Sequence, residues 1–148
     1  MTTTRSSKPK IIVVCGPTAA GKTHVGVKIA KAFNGEVISA DSRQFYKEMS
    51  IGTAKPTKEE MAEIPHHFVG SFSVKEPLTA GEFERQGEKT IHEILDRERL
   101  PIVVGGSGLF IKALVEGLDD LPTSEILRQE LIEQFEEIGI ESLYQRLS

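Results

Sequence analysis

Gly16-Pro17-Thr18-Ala19-Ala20-Gly21-Lys22-Thr23 follows the apolar run Ile11-Ile12-Val13-Val14-Cys15 and precedes a helix-compatible stretch from Val25 to Phe33. The segment satisfies G-x-x-x-x-G-K-[ST] at every fixed position, and its strand–loop–helix context is what that pattern requires. Glycines let backbone amides turn toward a ligand, and the amides form an anion-binding nest. A helix starting near Lys22 adds the positive end of its dipole. Lys22 supplies a mobile positive charge, and the Thr23 hydroxyl is a common magnesium ligand in such loops. The segment therefore implies a bound diphosphate, triphosphate or pyrophosphate ester. It does not specify a nucleotide.

Working outward, a first strand is expected at Lys10–Cys15 and a first helix from about Lys22 to Phe33, closed by Asn34-Gly35 as a left-handed cap. Glu36-Val37-Ile38-Ser39 reads as a second short strand, and Asp41 to Pro56 as an irregular polar stretch. Thr57-x-x-Glu60 is a capping box opening a short helix that stops before Pro65. His66-His67-Phe68-Val69 reads as a short extended piece. Thr79-x-x-Glu82 is a second capping box, opening a longer helix with Phe83, Gly87, Ile91, Ile94 and Leu95 on its apolar face. Pro101-Ile102-Val103-Val104 is another buried strand, followed by Gly105-Gly106-Ser107-Gly108 and a helix from about Leu109 to Glu116. Alternating buried strands and helices imply an α/β fold, a three-layer sandwich with a parallel sheet. Ligands in such sheets bind at the strands' carboxyl ends, where both Gly-rich loops and Asp41 are expected to converge.

After Leu121-Pro122 the character changes. Ser124 to Ile138 is an acidic amphipathic helix with Gly139 as its cap, and Glu141 to Leu147 begins another. The acids there read as a solvated helix face. The expected division is a lead-in at residues 1–10, a core at 11–122, and the start of a helical segment at 123–148. Three convincing core strands are few for a P-loop sheet, so the chain is expected to be the N-terminal part of a longer protein.

Composition is ordinary for a globular chain, with 39% hydrophobic and 27% charged residues. No apolar run approaches the roughly 20 residues that span a bilayer. The first ten residues lack the apolar centre of a secretory signal. A net charge of −4 argues against a nucleic-acid binder that uses its whole surface, though not against a local basic site. The lone Cys15 cannot form an internal disulfide and is expected as buried strand filler, consistent with a cytoplasmic location.

Asp41-Ser42-Arg43-Gln44-Phe45-Tyr46 gathers a carboxylate, a cation, an amide able to make bidentate base contacts, and aromatic faces. Asp41 is open to three roles: magnesium ligand, general base or turn cap. The strand ending at Val104 carries glycine where many P-loop enzymes place a metal-binding Asp. His66-His67 lie on opposite faces of an extended chain, so packing or a substrate-channel role is expected rather than chelation of one ion. Lys55 fits a phosphate contact or a structural lysine equally well. Phe33, Phe68, Phe83 and Ile91 are expected in the core. These residues by themselves leave open a small-molecule kinase and a noncatalytic phosphate-binding module.

The phosphate loop, Ser39-Ala40-Asp41-Ser42-Arg43-Gln44-Phe45-Tyr46, Ile51-Gly52-Thr53-Ala54-Lys55-Pro56, Pro65-His66-His67 and Gly105-Gly106-Ser107-Gly108-Leu109-Phe110 occur in this order. Together they resemble the tRNA dimethylallyltransferase (tRNA isopentenyltransferase, IPP transferase) family from about Ile11 to Arg128. The resemblance implies a P-loop NTPase-like core followed by a helical tRNA-binding insertion. It implies dimethylallyl diphosphate as donor, its diphosphate in the P-loop with Mg2+. The acceptor would be N6 of the adenosine just 3′ of the tRNA anticodon. It implies Asp41 as base, with Lys22 and Thr23 serving the leaving group, and tRNA contacts from Asp41, Ser42, Arg43, Gln44, Ser107 and Arg128. Asp41-Ser42-x-Gln44 with Ile51–Pro56 favours the tRNA enzymes over adenylate isopentenyltransferases. Ser107 stands where the family usually has Thr, Phe110 where Tyr is usual, and Arg43 where Met is frequent. The isolated chain is expected to bind diphosphate weakly and to transfer little prenyl group.

Overall fold

Residues 10–118 and 124–146 are described by the computed structural model. The expected lead-in and the Leu121-Pro122 break fall outside them, apart from Lys10. The chain divides into two compact units, residues 1–118 and 119–148.

In the first unit, β1 (Ile12–Cys15), β2 (Gly35–Ser39), β3 (His66–His67) and β4 (Leu100–Gly105) form a parallel sheet in the order β1-β4-β2-β3. The short extended piece at His66 is thus the fourth strand. Between the strands lie α1 (Lys22–Phe33), α2 (Lys58–Met61) and α3 (Ala80–Asp96), and α4 (Gly108–Glu116) follows β4.

A period of two along each strand splits the core into two layers. Val37, Ile102 and Val104, with Ile12 and Val14, pack toward Ala30 and Ile29 of α1. Ile38, Ala40 and Val103, with Val13, pack toward Phe83, Ile91 and Ile94 of α3 and Phe110, Ile111 and Leu114 of α4. That is the expected three-layer arrangement. Close approach is built in by small residues: a Cβ at Gly26 would lie 2.6 Å from Val104 Cγ2, and one at Gly87 2.7 Å from Leu114 Cδ1.

Both capping boxes form. Thr57 accepts from Glu60 N and Thr79 from Glu82 N, and each glutamate returns a bond to its cap's N–H. Asn34 caps α1 with φ 50°. Beneath α3 and α4 five phenylalanines interlock. Phe45 stacks on Phe83 at 5.2 Å and meets Phe110, Phe68 and Phe72 edge-on.

Two burial expectations are corrected. Cys15 is exposed, because β1 ends at the sheet's edge as the chain turns into the phosphate loop. Phe33 is 64% exposed: it lies in the last turn of α1, outside the face that packs on the sheet through Gly26, Val27 and Ala30.

In the second unit, α5 (Glu125–Gln145) opens with the Ser124 hydroxyl accepting from Leu127 N. Gly139, at φ 75° and ψ 174°, breaks it into two helices, as the sequence suggests.

Candidate functional site

Because the sheet is parallel, β1, β2 and β4 end at the same edge, with Cys15 opposite Gly105 and Ser39 opposite Val104. The phosphate loop, Asp41 and the Gly105–Gly108 loop therefore emerge side by side. A cavity of about 280 Å³ opens there, lined by Thr18, Ala19, Gly21, Lys22 and Thr23 on one side and by Asp41, Gln44, Ala54, Val104 and Gly105 on another. The expected convergence is what the fold produces.

Gly21 initiates α1 at φ 76°, a left-handed conformation that favours glycine, and the helix amides follow directly. Lys22 Nζ donates to the Pro17 carbonyl at 2.6 Å, so its ammonium already lies over the loop. Gly106 faces the same loop, its Cβ position 3.4 Å from Gly16 O and 3.8 Å from Lys22 Nζ.

The glycine that replaces a metal-binding Asp after Val104 has a steric cause. A Cβ at Gly105 would lie 2.2 Å from the Ala40 carbonyl oxygen, inside any possible contact. The two chains touch here: Ala40 N donates to Val104 O at 2.8 Å, and Ser107 N to Ala40 O at 3.2 Å. Ser107 Oγ accepts from Ser42 N at 3.0 Å and donates to Ser42 Oγ at 3.3 Å. Ser42 and Ser107 are thus one linked unit joining the two loops.

Of the three roles open to Asp41, the turn cap is the one its hydrogen bonds fill. Its Oδ1 accepts from Arg43 N at 3.1 Å, and its carbonyl accepts from Gln44 N at 3.0 Å, as in a turn cap. That leaves Oδ2 without a hydrogen-bond partner among the described residues, on a carboxylate whose orientation is fixed by the turn. Arg43 is exposed and its guanidinium has no ion pair among the described residues.

The Gln44 amide is engaged within the protein. Its Oε1 accepts from Ser39 Oγ at 3.2 Å, and its Nε2 donates to the Ala54 and Thr53 carbonyls at 2.9 and 3.4 Å. The amide ties the end of β2 to the Ile51–Pro56 loop, and pairing with an adenine edge requires exchanging these bonds. Lys55 acts as a structural lysine, its Nζ donating to the carbonyls of Tyr46 and Lys47. Phe110 packs on Phe45 and Phe83 at 5.1 and 5.3 Å, so its ring stacks within the protein. Tyr46 directs its hydroxyl to Leu78 N. In α5, Arg128 is exposed and its guanidinium lies 3.7 Å from Glu125.

Three cavity residues escape the sequence reading: His24, Ala54 and Glu60. The Thr57 capping box signals the start of α2, but nothing local signals that α2 borders the phosphate loop. A buried charge cluster also escapes it. Glu36 is 3% exposed, accepts two bonds from Arg97, and also meets Arg99 and His67, at 2.7–3.3 Å. Burial raises the Glu36 carboxyl's pKa, but the hydrogen bonds from Arg97 and His67 outweigh it and hold it below its ordinary value. The partners lie 31 to 63 residues away in sequence, beyond the reach of any local pattern. No cluster of three or more His, Cys, Asp or Glu suited to a metal occurs among the described residues. His66 and His67 go to separate partners, the Ile64 carbonyl and Glu36.

Residues 44–148 match the family model for IPP transferase. The chain belongs to the IPP transferase family. Within that family it is 52% identical over 141 residues to tRNA dimethylallyltransferase 1 of Syntrophotalea carbinolica, covering 95% of this chain and 45% of the relative. It is likewise 52% identical to the tRNA dimethylallyltransferase of Cytophaga hutchinsonii, covering 88% of this chain and 43% of the relative. The tRNA isopentenylpyrophosphate transferase of Bacillus halodurans superposes with a TM-score of 0.74 at 41% identity, over 95% of this chain and 47% of that one. A eukaryotic dimethylallyltransferase solved while acting on tRNA gives 0.78 at 30% identity, over 95% of this chain and 35% of that one. The chain therefore spans less than half the length of these relatives. Among the described residues, no helix is long and apolar enough to cross a membrane.

Proposed function

We propose that this segment is the donor-binding and base-bearing part of a cytoplasmic enzyme that transfers a dimethylallyl group from dimethylallyl diphosphate to tRNA. The acceptor is N6 of the adenosine just 3′ of the anticodon. The observation that carries the reading is the oriented Asp41 carboxylate on the wall of the phosphate-loop cavity, in a chain of the IPP transferase family.

The diphosphate lies against the loop amides and Lys22, which meet the charge that develops as it leaves. An exocyclic adenine amine is a weak nucleophile because its lone pair is delocalised. A carboxylate within hydrogen-bond reach orients it and takes its proton as the bond forms. The nitrogen lone pair attacks the allylic carbon, the carbon–oxygen bond breaks, and the diphosphate departs with that electron pair. The proton goes to Asp41 Oδ2. The acceptor base has to leave its stack to reach the donor carbon. Ser42, Arg43, Gln44, Ser107 and Arg128 are the tRNA-contacting residues in this reading.

Magnesium fits the donor set. The Thr23 hydroxyl lines the cavity and makes no hydrogen bond among the described residues, and Mg2+ is commonly held by one or two protein groups together with phosphate oxygens and water. When bound it would neutralise diphosphate charge, with Thr23 as the protein ligand.

The test is transfer of labelled dimethylallyl from its diphosphate to an anticodon stem-loop, run beside an ATP-dependent phosphorylation control. It uses the enzyme carrying this segment at the full length of its relatives. Prenyl transfer without ATP consumption is the expected result. Phosphorylation with no prenyl transfer would overturn the reading in favour of a kinase.

A further inference from the structure

Behind the phosphate cavity lies a second, much smaller one of about 10 Å³, lined by Thr23, Val37, Ser39, Gln44, Pro56, His66, Val69 and Val104. Thr23, Gln44 and Val104 border both cavities, so the small one backs the large one. Its volume is about that of a single water. One wall carries an unusual atom: His66 Nε2 is fully buried and has no hydrogen-bond partner among the described residues.

The state of that nitrogen follows from its ring. His66 Nδ1 lies 2.7 Å from the Ile64 carbonyl oxygen, which only accepts, so Nδ1 carries the proton. In the neutral ring Nε2 is then an acceptor and requires a donor. Burial pushes the imidazole below its ordinary value, which keeps it neutral, and the Ile64 bond opposes this only in part. Leaving a buried acceptor unmet costs about 1–3 kcal/mol. Of the side-chain donors lining the cavity, Thr23 makes no bond to Nε2, and Ser39 and Gln44 are committed elsewhere. Ser39 Oγ, on a residue 3% exposed, gives its proton to Gln44 Oε1 at 3.2 Å, and Gln44 Nε2 gives its protons to Thr53 and Ala54.

We propose that His66 is a positioning residue: its Nε2 holds one buried water that receives the proton of the Thr23 hydroxyl and so turns that oxygen's lone pairs toward the phosphate cavity. The proton inventory closes. The water donates one hydrogen to His66 Nε2 and the other to Ser39 Oγ, which still has acceptor capacity, and it accepts from Thr23. A hydroxyl whose oxygen serves a ligand on one side must send its proton to the other, and the water provides that destination. The role of the water does not depend on the proposed reaction. Only the consequence for phosphate binding rests on the reading of the large cavity.

Two measurements test this. The first is a high-resolution crystal structure of the protein and of His66→Phe. An ordered water within hydrogen-bond distance of His66 Nε2 and Thr23 Oγ1, lost in His66→Phe, supports the proposal. A dry cavity, or a protein donor on Nε2, overturns it whatever the protein binds. The second is calorimetric binding of inorganic pyrophosphate with thermal unfolding as a check. His66→Phe is expected to bind about tenfold more weakly, the loss of one hydrogen bond's worth. His66→Gln, which keeps an acceptor near the Nε2 position, is expected to stay within about threefold. Equal affinity of His66→Phe and the parent protein, with both folded, would remove the positioning role. If the parent protein fails to bind pyrophosphate, the diphosphate reading falls, and the crystallographic arm alone decides the water.

Discussion

Asp41 and Gly105 set the terms of the site from neighbouring strand ends. Asp41 has one oxygen committed to the turn and one available, so Asp41→Asn should preserve the turn through its remaining carbonyl oxygen while removing the proton acceptor. Prenyl transfer in the full-length enzyme is expected to fall about 10²- to 10⁴-fold, with pyrophosphate binding changed little. Near-normal transfer would move the base elsewhere. Gly105→Ala is expected to act on the same carboxylate through the backbone. The added methyl meets the Ala40 carbonyl at 2.2 Å, and both partners are main chain, so the strands must part. Loss of about 1–3 kcal/mol is expected by denaturant unfolding, together with slower prenyl transfer in the full-length enzyme because Asp41 follows Ala40 directly.

At the scale of elements, the two capping boxes have different consequences although their local geometry is the same. Thr79→Ala removes the cap of α3, far along the chain from the cavity, and is expected to cost about 1 kcal/mol with pyrophosphate affinity unchanged. Thr57→Ala frees Glu60, which lines the cavity, so it is expected to change pyrophosphate affinity as well. Parallel calorimetry on the two variants checks the contrast. These helices were legible in the sequence because a capping box is a contact over three residues and an apolar stripe repeats within one turn. The same holds for α1, whose motif sets its start. What stayed hidden depends on neighbours far along the chain. The extended conformation at His66–His67 was legible, but its place in the sheet rests on pairing with Val37 and Ile38. Phe33 has the composition of a core residue but sits on the outer face of α1. Gln44 looks suited to a base edge, yet it is occupied by Ser39 and Ala54 in a way no spacing rule encodes.

For the whole first unit, the principal buried charge is at Glu36. Its folded pKa lies below the unfolded one, so its contribution to stability is present above the ordinary glutamate range, about 4.3, and is lost as the pH falls through the folded value. Glu36→Gln is therefore expected to destabilise the protein at neutral pH by about 1–3 kcal/mol, less than a fully buried pair because its arginines are partly exposed. The difference from the parent protein should shrink on acidification, as read by unfolding midpoints across pH. The location of the site, unlike this cluster, was legible: parallel strands put their carboxyl ends together, and the motifs mark three of those ends. The strand order has one more consequence. Among the described residues, the strand feeding the phosphate loop pairs only with β4, which lies about ninety residues later, Val13 against Val103. During synthesis from the N-terminus, the first residues of the site must wait for β4, the last strand of the described sheet. On ribosome-arrested chains that stop short of Val103, limited proteolysis is expected to cut near Val13, and on chains extended past Gly105 that cut is expected to disappear. The ligand site would thus form only after β4 has been made.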